Sequence, residues 1–320
     1  MTKKIHPIFT LILFSLVLGC KNEVNKQESI TETPSIQEVD FSGNYVSNDY
    51  SKRHEGFDWT AVLIEYEKSK IIVSVRSRAD KKKPTCTFDT KAIKVDDNTF
   101  KSVVEGKSIL FRISNNTLTI SPEKPEDEGV LFFYCSGGSS LAGSYTLLQE
   151  SIDESQLDKT IFSKVLFLQD IGFNISTIEE DKKTILTTQP FGLSIVNRAE
   201  TTVINGKVIN AEIEDLNSDG WPEVLIYTQS TDNLKGDVIA FSVNNGKSMS
   251  QVYFPPIAEN AEINAGYIGY DEFSLVETSL GRRFPLFENG KKTGQSRQIQ
   301  YKLKDGEASR FFEIVKSTEY

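Results

Sequence analysis

Short turns built on glycine recur through the second half of this chain, and they commit it to hairpins. Asn205-Gly206, Asn244-Asn245-Gly246, Asn289-Gly290 and Asp305-Gly306 separate its apolar stretches, and several of them are hairpin signals of the type I′ kind. Apolar stretches lie around these turns, at 161–168, 191–196, 203–204, 208–213, 223–227, 237–243, 251–254, 272–277 and 298–303. None carries a long helical period. The expected architecture for 149–320 is an antiparallel β-sandwich of two packed sheets.

The stretch 41–148 is β-rich in a different way. Strands are expected at 59–66, 70–76, 108–113, 118–120 and 130–135, with Ile71, Val73 and Val75 on one face and Ile109, Phe111 and Ile113 on another. Regular spacing of this kind suggests a small β-barrel-like domain. It opens on Ser42-Gly43-Asn44-Tyr45 and ends on Ala142-Gly143-Ser144-Tyr145, as if the first and last strands lay side by side. The pattern is weakly similar to calycin-type barrels, and a filled interior is expected. Residues 149–159 are polar and hold either a short helix or a linker.

Ahead of both domains, Lys3 and Lys4 precede an apolar run at 8–18 that ends Val17-Leu18-Gly19-Cys20. The run is shorter than the about 20 apolar residues a spanning helix needs. Positive end, apolar core, small residue and cysteine in that order resemble a lipoprotein signal peptide over 1–19, with Cys20 as the lipidated residue. Residues 20–40 then read as a disordered polar tether. Its length, about 20 residues, gives a reach on the order of 25 Å. The expected location is the bacterial cell envelope, on the membrane through the lipid anchor.

The formal charge is −9, and loss of Lys3 and Lys4 with the leader takes it to −11. Such a chain is a poor nucleic-acid binder and suits a basic protein partner or a cation. With Cys20 lipidated, Cys86 and Cys135 are the two cysteines left, and an oxidising compartment favours a disulfide between them. His54 is the one histidine after the leader, which excludes multi-His zinc sites. No phosphate loop, nucleophile elbow or Cys-x-x-Cys is present. The chain is expected to be no enzyme.

The sharpest local motif is Asp215-Leu216-Asn217-Ser218-Asp219-Gly220-Trp221-Pro222-Glu223. Side-chain oxygens of Asp215, Asn217, Asp219 and Glu223, with the carbonyl of Trp221, recur in the order in which a calcium loop supplies ligands. Position twelve is Ile226, where a full calcium loop has glutamate. A metal-free Asx turn with solvated acids is the other reading.

The second block resembles the family of periplasmic inhibitors of invertebrate-type lysozyme over roughly 162–303. Several pieces carry the resemblance in order: Phe191-Gly192-Leu193-Ser194-Ile195, the D-x-N-x-D-G-x-P-E core, Ile239-Ala240-Phe241, Gly266-Tyr267-Ile268-Gly269-Tyr270-Asp271, Arg283-Phe284-Pro285 and Arg297-Gln298-Ile299-Gln300-Tyr301. It implies a β-sandwich that inserts a loop into a lysozyme's cleft. By position that loop is Gln229 to Gly236, with Ser230, Thr231, Asp232, Asn233 and Gly236 as the contact residues. The family's loop carries a Ser-Gly-x-x-Tyr pattern; here Ser230 stands for the serine and no tyrosine follows. The implied partner is a lysozyme or another basic cell-wall hydrolase. A calcium-stabilised, non-catalytic binding module for another envelope protein or a glycan is the alternative. Arg282, Arg283 and Tyr267 are expected to staple strands rather than support the loop.

Overall fold

The computed structural model describes residues 39–232 and 234–320. The leader, Cys20 and all of the tether but its last two residues therefore lie outside the described residues, as does Asn233. Residues 40–320 form one compact unit that contains all four apolar clusters. It has its own cores, as an independently folding body requires.

The first half is a closed eight-stranded barrel. Its strands are β1 (Gly43–Val46), β2 (Thr60–Glu67), β3 (Lys70–Ser77), β4 (Thr87–Lys94), β5 (Thr99–Val104), β6 (Lys107–Ser114), β7 (Thr117–Pro122) and β8 (Gly143–Leu147). Closure leaves no open edge, and it comes from the pairing expected between the two Gly-x-Tyr pieces, with Tyr45 opposite Leu147 and Val46 opposite Thr146. The two pieces are built alike. Tyr45 OH donates to the carbonyl of Phe41 at 3.1 Å, and Tyr145 OH to that of Leu141 at 2.9 Å. Gly43 and Gly143 have φ of 152° and 149°. The alternating residues Ile71, Val73, Val75, Ile109, Phe111 and Ile113 all belong to one packed apolar cluster.

The stretch expected as a strand at 130–135 is instead a helix, α1 (Gly129–Phe133). A short apolar run without alternation is compatible with either form. Here it buries Val130 and Leu131 and leaves Phe132 and Phe133 exposed. Just beyond it, Cys135 is bonded to Cys86 as expected, so the disulfide joins the segment after α1 to the start of β4. Residues 149–159 contain no helix and run against the barrel: Asp158 accepts from Thr87 Oγ1 at 2.7 Å, and Leu157 pairs with Arg78.

The sheets of the second half are antiparallel, but there are three four-stranded sheets rather than two. The first contains β9 (Thr160–Leu168), β10 (Ile171–Glu180), β11 (Lys183–Phe191) and β12 (Glu200–Ile204). The second contains β13 (Lys207–Glu214), β14 (Glu223–Gln229), β15 (Gly236–Asn244) and β16 (Ser248–Val252). The third contains β17 (Glu272–Val276), β18 (Ser279–Glu288), β19 (Lys291–Lys304) and β20 (Phe311–Glu319). A strand expected at 191–196 is absent; β11 ends at Phe191, and 194–196 bond to the turn at Gly246 and Lys247.

Alternation along β14 and β15 explains the third layer. Val224, Ile226, Phe241 and Val243 pack with the first sheet. Leu225, Tyr227, Val238 and Ala240 pack with the third. The middle sheet thus buries both faces, and β14 is buried at every residue but Gln229. A strand covered on both faces reads as a continuous apolar run, as Val224-Leu225-Ile226-Tyr227 does.

Arg76 fastens the barrel to the sheets. It is nearly fully buried, donates to the carbonyl of Thr160 at 2.6 Å and pairs with Asp89, whose Oδ2 accepts the Ser163 N–H at 2.7 Å. Phe133, Phe167 and Phe191 extend this contact as a chain of edge-on and tilted rings.

Candidate functional site

β14 has one candidate feature at each end. The acidic turn leads into it at Glu223, and the loop leaves it after Gln229. The strand's seven residues separate them by roughly 20 Å at about 3.3 Å per residue, so they are two sites.

The loop extends beyond the last ladder pair, Gln229 with Gly236. Ser230 N–H donates to the Lys235 carbonyl at 2.8 Å, and Ser230 Oγ accepts from Asp232 N–H at 3.3 Å. Thr231, Asp232, Leu234 and Lys235 are exposed. Ser230 thus shapes the turn from within, and Asn233 lies outside the described residues. Two glycines let neighbouring backbone close in on the loop's base. A Cβ on Gly206 would meet the Gln229 carbonyl oxygen at 2.0 Å, and one on Gly236 would meet Phe273 and Asp271 at 2.6 and 2.7 Å.

Below the loop lies a buried polar cluster. Asp271 Oδ2 accepts the Gly236 N–H at 2.6 Å and the Tyr267 hydroxyl at 2.7 Å. Its Oδ1 accepts Arg282 Nε at 2.7 Å, and Arg282 Nη2 reaches the Tyr267 oxygen at 3.0 Å and the Gly236 carbonyl at 3.3 Å. Asp271 is fully enclosed, and Arg282 nearly so. The guanidinium also sits 5.2–5.9 Å from the ring centres of Phe254, Tyr267, Phe273 and Phe284. Burial, followed by the bonded carboxylate of Asp271, holds the Tyr267 hydroxyl well above the usual tyrosine range. The expectation that Arg282 and Tyr267 only staple strands is corrected: both support the loop. Arg283 does not; it lies over the ring of Tyr320. Asp271 is the loop-holding residue that sequence reasoning did not single out. Its signal was its place at the end of Gly266-Tyr267-Ile268-Gly269-Tyr270-Asp271.

That segment also flanks the loop. Tyr270 N–H donates to the Leu234 carbonyl at 3.0 Å, with Leu234 and Tyr270 both at positive φ. Tyr270 is half exposed, stacks on Phe287 and has Lys292 5.6 Å from its ring centre. Leu234, Ile268 and Tyr270 therefore form an exposed apolar rim beside the loop.

At the other end of β14, the acidic turn is tied together by its own donors. Asp215 accepts from the N–H groups of Asp219 and Gly220 at 3.1 and 2.9 Å, Asn217 Oδ1 from Asp219 N–H at 3.2 Å, and Asp219 Oδ1 from Trp221 N–H at 2.9 Å. Glu223 accepts from Leu216 N–H at 2.9 Å and Ser242 Oγ at 2.6 Å. A cation is already present in Arg310, which pairs with Asp219 at 2.7 Å, Asp305 at 3.0 Å and Glu223 at 3.6 Å. Among the described residues, no three His, Cys, Asp or Glu side chains are grouped to hold a metal. The arrangement is an Asx-type turn closed by an arginine, and a calcium ion fits these donors only if Arg310 withdraws.

Glu223 has no exposed surface. Burial pushes its carboxyl up to about 7, against the opposing pull of its hydrogen bonds and Arg310. A raised carboxyl favours the folded state when protonated. Its contribution is whole below the ordinary value of 4.5 and fades as pH rises through 7. Glu223→Gln keeps the neutral form. The stability of the variant relative to the parent is expected to rise between about pH 5 and 8, by up to about 3 kcal/mol. Denaturation curves at the two pH values measure this; parallel losses at both would show an ordinary carboxylate.

Against known proteins, the chain matches no family model and no curated sequence.

Proposed function

We propose that this chain is a lipid-anchored envelope protein that binds a lysozyme and blocks its cleft with the loop after β14. The observation that carries the reading is the loop itself: exposed at Thr231, Asp232, Leu234 and Lys235, yet held at Gly236 by buried Asp271 and Arg282, with the partly buried Tyr267 bonded to both. A loop whose base is fixed before binding loses less entropy when it docks. Glycosidases of this class work through paired carboxylic groups. Lys235 is the loop's cation and suits such a pair, while Asp232 hydrogen-bonds within the loop. The acidic body, net −9, would steer towards a basic enzyme. Cys20 keeps the inhibitor at the membrane. The reading assigns no catalysis to the chain.

The test is lysis of bacterial cells followed by turbidity, with the 40–320 unit added to invertebrate-type, goose-type or chicken-type lysozyme. At least one is expected to be slowed. Lys235→Glu is expected to weaken that inhibition about tenfold or more, the scale of one lost charged contact. Undiminished lysis by all three would end the reading.

The second reading is a calcium-stabilised, non-catalytic module for another envelope protein or a glycan. Its support is the order of oxygens from Asp215 to Glu223, and it requires Arg310 to release Asp219. Calorimetry with calcium separates the two: heat of binding with a raised melting temperature favours the module, and no heat removes the metal.

A further inference from the structure

A groove of about 680 Å³ lies where the outer face of the barrel meets β9 and β13. Neither the loop nor the acidic turn contributes to it. Its volume is within the range of small-molecule sites, which favour such junctions between domains. The walls combine two unlike features. Ile72, Val103, Ile161 and Ile209 line it, and Val103, Ile161 and Ile209 are 65%, 51% and 37% exposed. Apolar side chains left open in one place point to something that covers them.

Two lysines share the same groove. Lys164 is partly buried and donates to Asn210 Oδ1 at 2.8 Å and to the Ala211 carbonyl at 2.7 Å. An ammonium has three protons to donate, so one remains for a ligand. Lys91 stands opposite Ile72 across the β3–β4 ladder and makes no hydrogen bond or ion pair among the described residues. Burial first, then Glu212 in the opposite sense and Lys91, set the lowered pKa of Lys164. Two acids also line the groove. Asp89 is neutralised by Arg76 at 2.8 Å. Glu105, at the β5–β6 turn, acts on Tyr134, whose hydroxyl burial has already pushed up to about 12. Two lysines lining one groove beside open aliphatic walls, in a protein of net charge −9, select for an anion with a hydrocarbon tail.

We propose that this groove binds a single-chain amphiphile, with a carboxylate or phosphate head on Lys91 and Lys164 and its alkyl chain along Ile72, Val103, Ile161 and Ile209. The site is independent of lysozyme binding.

The test is calorimetric titration of the 40–320 unit with dodecanoate and with dodecyl phosphate, against dodecanol and dodecyltrimethylammonium. At least one anion is expected to bind about tenfold or more tightly than either control. The tighter of the two identifies the head. Lys91→Glu and Val103→Glu, both at exposed positions, are expected to weaken that binding about tenfold each while leaving the melting temperature unchanged. Val203→Glu, exposed on β12, should leave it as it is. No heat with either anion at about 1 mM overturns the proposal. So do equal binding of dodecanol and affinity untouched by Lys91→Glu and Val103→Glu; the latter places the amphiphile elsewhere.

Discussion

Replacing Arg282 by alanine is expected to destabilise the three-sheet half by about 3–5 kcal/mol, the usual cost of removing one partner from a buried ion pair. Asp271 would be left enclosed, with only the Tyr267 hydroxyl and the Gly236 N–H as partners. The rings of Phe254, Tyr267, Phe273 and Phe284 would also lose the group that fills the space between them. In a body of this size the midpoint should fall by on the order of 10 °C. Trp221 is the natural probe, since it packs with the core between the first and second sheets, whereas Trp59 reports the barrel. Asp271→Asn combined with Arg282→Met removes both charges and should cost markedly less than the two single losses added together. A loss under about 1 kcal/mol for Arg282→Ala would mean that the pair is solvated in solution. The same variant tests the loop: inhibition should weaken more than stability alone explains, because Gly236 loses its tie.

The second large effect is on the barrel. Cys86 and Cys135 are 49 residues apart in sequence. Constraining a loop of that length in the unfolded chain contributes about 4 kcal/mol on the chain-entropy account. Cys86→Ala with Cys135→Ala is therefore expected to lower the Trp59-reported transition by that amount, with the Trp221-reported transition much less affected. Cys86 is also buried in the barrel's apolar cluster, so the lost packing acts in the same direction. A difference of less than about 1 kcal/mol between parent and variant would show that the unfolded chain is already compact around α1.

What could be read before the structure follows from how loudly each residue type signals. Asn245-Gly246 and Asn289-Gly290 are turns with both residues at positive φ, and both were legible because Asn and Gly favour that region. The β9–β10 and β10–β11 turns use Gln169-Asp170 and Asp181-Lys182 in the same conformation. Gln and Lys visit it rarely, and neither pair contains the glycine that marks such a turn, so β10 and β11 passed unmarked and the count of sheets came out one short. The closure of the barrel was visible in Gly43-x-Tyr45 and Gly143-x-Tyr145. The helix at Gly129–Phe133 was not, since Val130-Leu131-Phe132-Phe133 has no period to choose between forms. At the loop, the exposed residues were placed by position alone. The Asp271–Arg282 pair joins residues on either side of β17, and nothing local announces it. At the acidic turn the oxygens were legible, but Arg310 lies 91 residues from Asp219 and changes what they hold.

A strand covered on both faces has a consequence for hydrogen exchange. The amide protons of β14 can meet solvent only when both flanking sheets move away together, so they should exchange through the largest opening the body undergoes. The loop begins one residue after that strand ends. Its side chains can therefore be replaced wholesale, as in grafting a foreign recognition sequence between Gln229 and Gly236, without loosening the slowest-exchanging strand in the molecule.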